Sequence, residues 1–348
     1  MSPAPIWDVI NGFGAYWSLV TALELGLFDA VEAAGESGLD APALAMATGV
    51  SEPASVQLLA ELLVSLGLLN ANGTTFTLSD SARRYLVATS PASMAALVRY
   101  SPGPHRAWPE LADTIRRGKP TKTIGAELAE LYPALVRATA PTQAAVAAAT
   151  ARELDQLGLW PQVPLVVDLG CGSGAWLTAL LASRPEARAV AVDLANVLPL
   201  TEHAVSIAGQ ADRVTTVVGD YLAVELPIAH ADVVVLAHVL RAESPERAQR
   251  LLARAIELAW PSGVVVVADY PRPDPPAPGD ADRTATCVAA RHELLLSLTM
   301  LASTSGLGLS VDDLSVWSEA ADAEIVHTFQ ALPRQTVHLI RSRREATS

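Results

Sequence analysis

Val166-Val167-Asp168-Leu169-Gly170-Cys171-Gly172-Ser173-Gly174 is the stretch from which the rest of this chain is read. A β-branched apolar run ends in an acid, glycines follow at every second position, and a helical pattern opens at Ala175-Trp176-Leu177. Strand, tight turn and helix in that order open a nucleotide-binding α/β unit. Glycine lets the backbone turn sharply there and lets a ligand come close with no Cβ in the way. A carboxylate at the strand end disfavours a pyrophosphate and suits a cationic group, such as the ammonium and sulfonium of S-adenosylmethionine.

The chain downstream repeats the pattern. Ala189-Val190-Ala191-Val192-Asp193-Leu194 is a second buried strand ending in an acid. It lies about 20 residues past the turn, where a carboxylate accepts ribose hydroxyls. Val214 to Tyr221 is a third, with Asp220 suited to the adenine amino group and Tyr221 or Leu222 to the ring face. Asp232 to Leu236 is a fourth, followed by Ala237-His238-Val239-Leu240-Arg241, and Val264 to Asp269 is a fifth, after a helix near 245–260. Continuous apolar strands separated by helices predict a parallel sheet covered on both faces, with ligands outside the carboxyl ends of its strands. A Pro/Asp loop over 271–282 leads to a long helix, 283–304, carrying Arg291, His292, Glu293, Ser297 and Met300. Residues 325–327 and 337–340 read as two last strands, an antiparallel edge pair.

Upstream, residues 6–33 read as helical, with Gly26-Leu27-Phe28-Asp29 closing a helix. Ala41–Ala47 forms a short helix, Ser51-Glu52-Pro53 caps a longer one running to Leu66, and Leu69, Asn72-Gly73 and Thr75–Leu78 make a hairpin. Helix, helix, hairpin is a winged-helix arrangement. No Lys or Arg precedes Arg83, so this module cannot neutralise phosphates, and its apolar first helix reads instead as a dimer seam. From Met94 to Trp160 the pattern is helical with proline breaks, and His105, Trp108 and Tyr132 are the side chains placed to meet an acceptor. The domains expected are thus 1–98, 99–160 and 161–348.

At 348 residues the chain has length for about two domains. It is 51% hydrophobic, yet no apolar run approaches the ~20 residues that span a bilayer. Met1-Ser2-Pro3-Ala4-Pro5 is unlike the start of an export signal, and Cys171 and Cys287 make neither a disulfide framework nor a metal set. A net charge of −13 argues against nucleic-acid and anionic-membrane partners. A cytoplasmic protein is expected.

With these residues in view, the chain resembles the class I S-adenosylmethionine-dependent methyltransferases. It is most similar to the small-molecule O-methyltransferases of plants and of bacterial natural-product and antibiotic pathways. The N-terminal likeness runs through Ala22–Asp29, Gly67-Leu68-Leu69 and Leu78–Leu86. The C-terminal one runs through Val167–Gly174, Val192-Asp193-Leu194, Gly219-Asp220-Tyr221 and Leu236–Leu240. The resemblance implies a winged-helix dimerisation domain, a homodimer and a Rossmann-like seven-stranded sheet. It implies that the methionyl group lies at Asp168, Gly170, Gly172 and Gly174, the ribose at Asp193 and Leu194, and adenine beside Asp220, Tyr221 and Ala237. S-adenosylhomocysteine would be the product, and no metal is expected.

The sequence departs from this family at its general base. Members carry His-Asp-Trp after the fourth strand; here Arg241-Ala242-Glu243 stands in its place. Gly308 replaces a second supporting acid, and Asp269 keeps the first. An always-protonated Arg cannot abstract a proton. One reading is methyl transfer to carbon, to nitrogen, or to an oxygen deprotonated elsewhere, with His238 or His292 taking the proton. Another is a non-methylating enzyme of the fold, a pericyclase or a decarboxylase or hydroxylase. A third is a non-catalytic binding protein. Arg241 reads either as a partner for an anionic substrate or as a surface residue paired with Glu243 or Asp269. His292, Glu293, Ser297 and Met300 face the acceptor on this view.

Overall fold

The computed structural model describes residues 2–101, 106–119, 125–274 and 282–344, and of 125–132 the backbone alone. His105 lies outside the described residues, as does the side chain of Tyr132. The chain divides between residues 102 and 103 into two compact units.

The first unit opens with helix α1 (Ala4–Glu24) and α2 (Leu27–Ala34). The helical stretch read over 6–33, with a helix closing at Gly26–Asp29, is two helices. Gly26 adopts φ +66, a left-handed turn that ends α1 and lets α2 begin on a new axis. A two-residue strand β1 (Leu39–Asp40) precedes α3 (Ala41–Thr48), whose N-terminal Ala43 N–H is capped by Asp40 at 2.9 Å. Then come α4 (Pro53–Ser65), the hairpin β2 (Leu69–Asn72) and β3 (Thr75–Leu78), α5 (Asp80–Tyr85) and α6 (Ala95–Tyr100). The three strands pair in the order β1-β3-β2, and Leu23, Phe28, Leu44, Leu63, Leu69 and Phe76 form the core beneath them.

The second unit begins with α7 (Leu111–Arg117) and the 33-residue α8 (Gly125–Leu157). Pro133 and Pro141 lie inside α8, so two of the expected proline breaks do not occur. Val146, Ala147, Ala151 and Leu154 fix its C-terminal half in the same core as Trp176 and Leu177. Burying that apolar stripe outweighs the backbone hydrogen bonds the prolines remove.

β4 (Leu165–Leu169), α9 (Ala175–Ser183), β5 (Arg188–Asp193), α10 (Leu198–Ile207), β6 (Val214–Val218) and β7 (Val233–Ala237) follow. Next are α11 (Pro245–Ala259), β8 (Val264–Asp269), α12 (Arg283–Ala289), α13 (Arg291–Ser303), α14 (Val311–Ala320), β9 (Ala323–Leu332) and β10 (Gln335–Ser342). The helix expected over 283–304 is broken at Ala290, and the third strand stops at Val218, leaving Asp220 in the loop. Seven strands order as β6-β5-β4-β7-β8-β10-β9. β4 to β8 run parallel, and β10 pairs antiparallel with both β8 and β9. The order reverses between β4 and β7, so the crevice for a ligand opens outside the carboxyl ends of these two neighbouring strands. The second unit has the α/β methyltransferase sheet with an antiparallel edge, and the first is a mainly helical N-terminal unit.

Candidate functional site

The glycine turn comes first. Gly170 takes φ +97, and a Cβ there would lie 2.5 Å from Val239 Cγ1, so only glycine fits between the turn and the β7 loop. Asp193, at the end of β5, accepts from Gly172 N–H at 2.8 Å and from Leu194 N–H at 2.7 Å. Asp193 thus ties the turn to its neighbouring strand. Burial raises the Asp193 carboxyl, while the two amide donors pull it back down. Cys171 and Thr201 share a 3.2 Å contact, and Thr201 Oγ1 donates to Gly172 O at 2.8 Å, closing the turn from behind. Burial, with Asp168 and Asp193 nearby, pushes the Cys171 thiol up and away from reactivity.

Asp168 differs from its expected place. It sits within β4 at 1% exposure, and neither carboxylate oxygen has a hydrogen-bond partner among the described residues. Burial raises its carboxyl well above the ordinary range, and the Asp193 charge raises it further. Two unmet anionic acceptors beside a glycine turn fit a cationic ligand, since a positive charge relieves both effects.

Asp220 is exposed and already partnered. Leu222 N–H donates to it at 2.9 Å, and Arg247 Nη2 reaches both oxygens at 3.2 and 3.1 Å. Partial burial works against the charge, yet Leu222 and Arg247 outweigh it and hold the carboxyl below its usual value. Arg247 Nε also donates to Glu243 at 2.6 Å, and Tyr221 Oη donates to the same carboxylate at 2.5 Å. Arg247 was not evident from sequence, although its i,i+4 spacing from Glu243 is a signal.

A second cluster is built from the ends of β7 and β8. Arg241, in a single turn over 240–242, is buried rather than on the surface, and its Nη1 donates to Asp269 Oδ1 at 3.3 Å. Of the sequence alternatives the pairing with Asp269 is present, and the exposure is not. Asp269 is 3% exposed, receives Tyr270 N–H at 2.8 Å, and faces His238 Nδ1 at 3.5 Å. Burial opposes its charge, but Arg241, His238 and the Tyr270 amide together keep the carboxyl ionised below its usual range. Tyr270 joins the cluster: its ring lies 5.2 Å from His238, 6.0 Å from His292 and 5.6 Å from the Arg241 guanidinium. Gln335 Nε2 donates to its hydroxyl at 2.6 Å. Tyr270 escaped the sequence reading although it directly follows Asp269.

His292 is exposed as a residue, and partial enclosure of its ring lowers its pKa below the ordinary value. Glu293 turns away from this cluster: it is 7% exposed and paired with Arg334 at 3.0 Å. Ser297 donates to Glu293 O at 2.9 Å and lines the Gly308 turn, whose N–H reaches Arg241 O at 3.2 Å. Trp108 lies in a short turn before α7, and Met300 and Ala237 are half-buried. Among the described residues no group of three His, Cys, Asp or Glu is placed to hold a metal.

A seven-stranded sheet of this order, with acids at the ends of successive strands and a partnerless carboxylate behind the turn, defines a methyltransferase of the S-adenosylmethionine-dependent class. The chain belongs to the O-methyltransferase family: residues 108–310 match its O-methyltransferase domain and residues 7–88 its dimerisation domain. It is 28% identical over 334 residues to 3-hydroxy-5-methyl-1-naphthoate 3-O-methyltransferase of Streptomyces sahachiroi, covering 94% of this chain and 91% of that one. It is 30% identical over 274 residues to acetylserotonin O-methyltransferase of Bos taurus, covering 75% and 78%. The solved structure of human N-acetylserotonin methyltransferase in complex with S-adenosylmethionine superposes with a TM-score of 0.77 at 23% identity, covering 97% of each chain.

Proposed function

We propose that this protein transfers the methyl group of S-adenosylmethionine to a small aromatic acceptor of natural-product type, as a homodimer. The observation that carries the proposal is Asp168, a buried carboxylate with no partner behind a glycine turn that Asp193 holds in place. In this reading Asp168 with Gly170, Gly172 and Gly174 receives the methionyl end, and Asp193 and Leu194 receive the ribose. Asp220, Tyr221 and Ala237 receive the adenine. The bound cofactor supplies an electrophilic methyl on sulfur. The chain supplies alignment, exclusion of water and a place for the acceptor's proton. The two relatives act, by name, on a hydroxynaphthoate and on acetylserotonin, which supports an aromatic acceptor here.

Loss of the family base at Arg241 points from sequence toward carbon or nitrogen as the methylated atom. The His238–Asp269 arrangement favours oxygen instead. Calorimetry with S-adenosylmethionine tests the cofactor site: Asp193→Ala removes two acceptors and frees the turn, and affinity is expected to fall roughly 100-fold. Equal binding by the variant would refute the site. Incubation with N-acetylserotonin and a hydroxynaphthoate, followed by assay for S-adenosylhomocysteine, tests transfer. Product formed without S-adenosylhomocysteine would favour a non-methylating enzyme.

A further inference from the structure

We propose that His238, positioned by Asp269, is the catalytic base of this enzyme, and that its substrate is an acceptor bearing an uncharged hydroxyl. The inference rests on the methyl-transfer reading above and adds the proton acceptor that reading leaves open.

His238 takes φ +60, a left-handed conformation uncommon for a residue with a Cβ. It is held there by its own N–H, which donates to Ala268 O at 2.9 Å. An outlier of this kind needs a reason, and sites of chemistry are where such strain collects. The strained backbone turns Nδ1 toward Asp269 Oδ1 at 3.5 Å. A carboxylate facing Nδ1 selects the tautomer with its proton on that nitrogen and leaves the lone pair on Nε2. Nε2 is buried and has no partner among the described residues. The next residue, Val239, lies against Gly170, so the loop that carries His238 borders the glycine turn. His292 has no comparable arrangement: it is exposed, and its neighbour Glu293 is committed to Arg334.

Charge bookkeeping gives the substrate class. Arg241 is neutralised by Asp269, so the cation that shares this carboxylate with His238 is already paired. An uncharged hydroxyl fits the lone pair on Nε2. In the step, the acceptor O–H bond breaks and its proton passes to Nε2. The oxygen's electron pair bonds to the methyl carbon while the carbon–sulfur bond breaks and its pair stays on sulfur. The products are a methyl ether, a neutral thioether and an imidazolium whose charge Asp269 offsets. The proton then leaves to solvent. Arg241 acts as a positioning residue, holding Asp269 in reach of His238.

Asn tolerates φ > 0, so His238→Asn removes the base and keeps the backbone. With N-acetylserotonin as probe, kcat is expected to fall roughly 10²- to 10⁴-fold, the range for one general base. The Kd for S-adenosylmethionine is expected to be unchanged by calorimetry. His238→Gly also accepts this backbone, and added imidazole should restore part of its turnover, which a structural role would not produce. The groups facing the imidazole are Asp269, Arg241, Tyr270 and, through Tyr270, His292, with His338 on β10 near Asp269. The acidic limb of kcat/KM against pH should persist in His292→Asn and vanish in His238→Asn. Independently of any acceptor, nitrogen NMR of histidine-labelled protein should show His238 protonated at Nδ1 and bare at Nε2. A bare Nδ1, or full activity of His238→Asn while S-adenosylhomocysteine still forms, would overturn the inference. Failure of the wild type to bind S-adenosylmethionine would instead overturn the cofactor reading beneath it.

Discussion

Asp168 has both carboxyl oxygens enclosed and without a hydrogen-bond partner among the described residues. Its folded pKa is raised by burial and then by Asp193, so between the ordinary carboxyl value and the raised one the native state keeps a proton that the unfolded chain has lost. Stability from this group is therefore present at low pH and lost as pH rises through that window. Asp168→Asn removes the titration, and the ligand-free variant should show a flatter dependence of melting temperature on pH above the ordinary carboxyl range. Its affinity for S-adenosylmethionine should fall at the same time. An unchanged pH profile would mean that Asp168 is already ionised and otherwise compensated. Arg247 gives a second residue-scale prediction: it fixes the Asp220 carboxylate and, through Glu243, the Tyr221 hydroxyl. Arg247→Ala should weaken cofactor binding by roughly 10-fold, with a reduced dependence on salt because the pair is half-exposed. Asp168, Asp193 and Asp220 could be found from sequence because each follows an apolar run. Arg241 and Asp269 are 28 positions apart, and neither says that the other will neutralise it.

At the scale of elements, local pattern predicted well wherever one physical effect dominated. The strands β4, β5, β7 and β8 are nearly all buried Val, Ala and Leu, and no other element type suits such short runs. The failures come where two effects compete. Pro133 and Pro141 signal breaks, yet α8 continues through both because its C-terminal half is fixed in the core. The helix expected over 283–304 divides at Ala290, a position with no local breaker, and α13 resumes with Glu293 turned to Arg334. Arg334 itself sits at φ +68 in the turn between β9 and β10, so this ion pair joins α13 to that hairpin. Glu293→Gln keeps the shape and removes the charge. It should cost about 1 kcal/mol, since one partner is buried and the other half-exposed. That is a fall of about 2–4 °C in melting temperature for a unit of this size. If Glu293 contacted the acceptor instead, the substitution would raise KM and leave stability alone.

Over the whole molecule, the parallel sheet and its antiparallel edge follow from the sequence of apolar runs, whereas strand order does not. The reversal between β4 and β7 depends on which faces the helices cover, and no single segment encodes it. The N-terminal unit poses the matching question about its outer surface. On α1, Ile6, Ile10, Phe13 and Trp17 recur at helical spacing, and they are exposed by 65, 55, 72 and 42%. A contiguous apolar stripe of that length marks an interaction surface. The match of residues 7–88 to a dimerisation domain supports a second copy of this chain as its occupant. A charge on the stripe should then separate the copies, because burying it against apolar side chains without a partner is costly. Light scattering on Phe13→Glu with Ile10→Glu is expected to report the mass of one chain where the wild type reports two. The residues proposed to hold the cofactor all lie in the second unit, so calorimetric binding of S-adenosylmethionine should survive the double substitution. A wild type already running as a single chain would assign the stripe elsewhere, and a variant that stays dimeric would place the seam on another face.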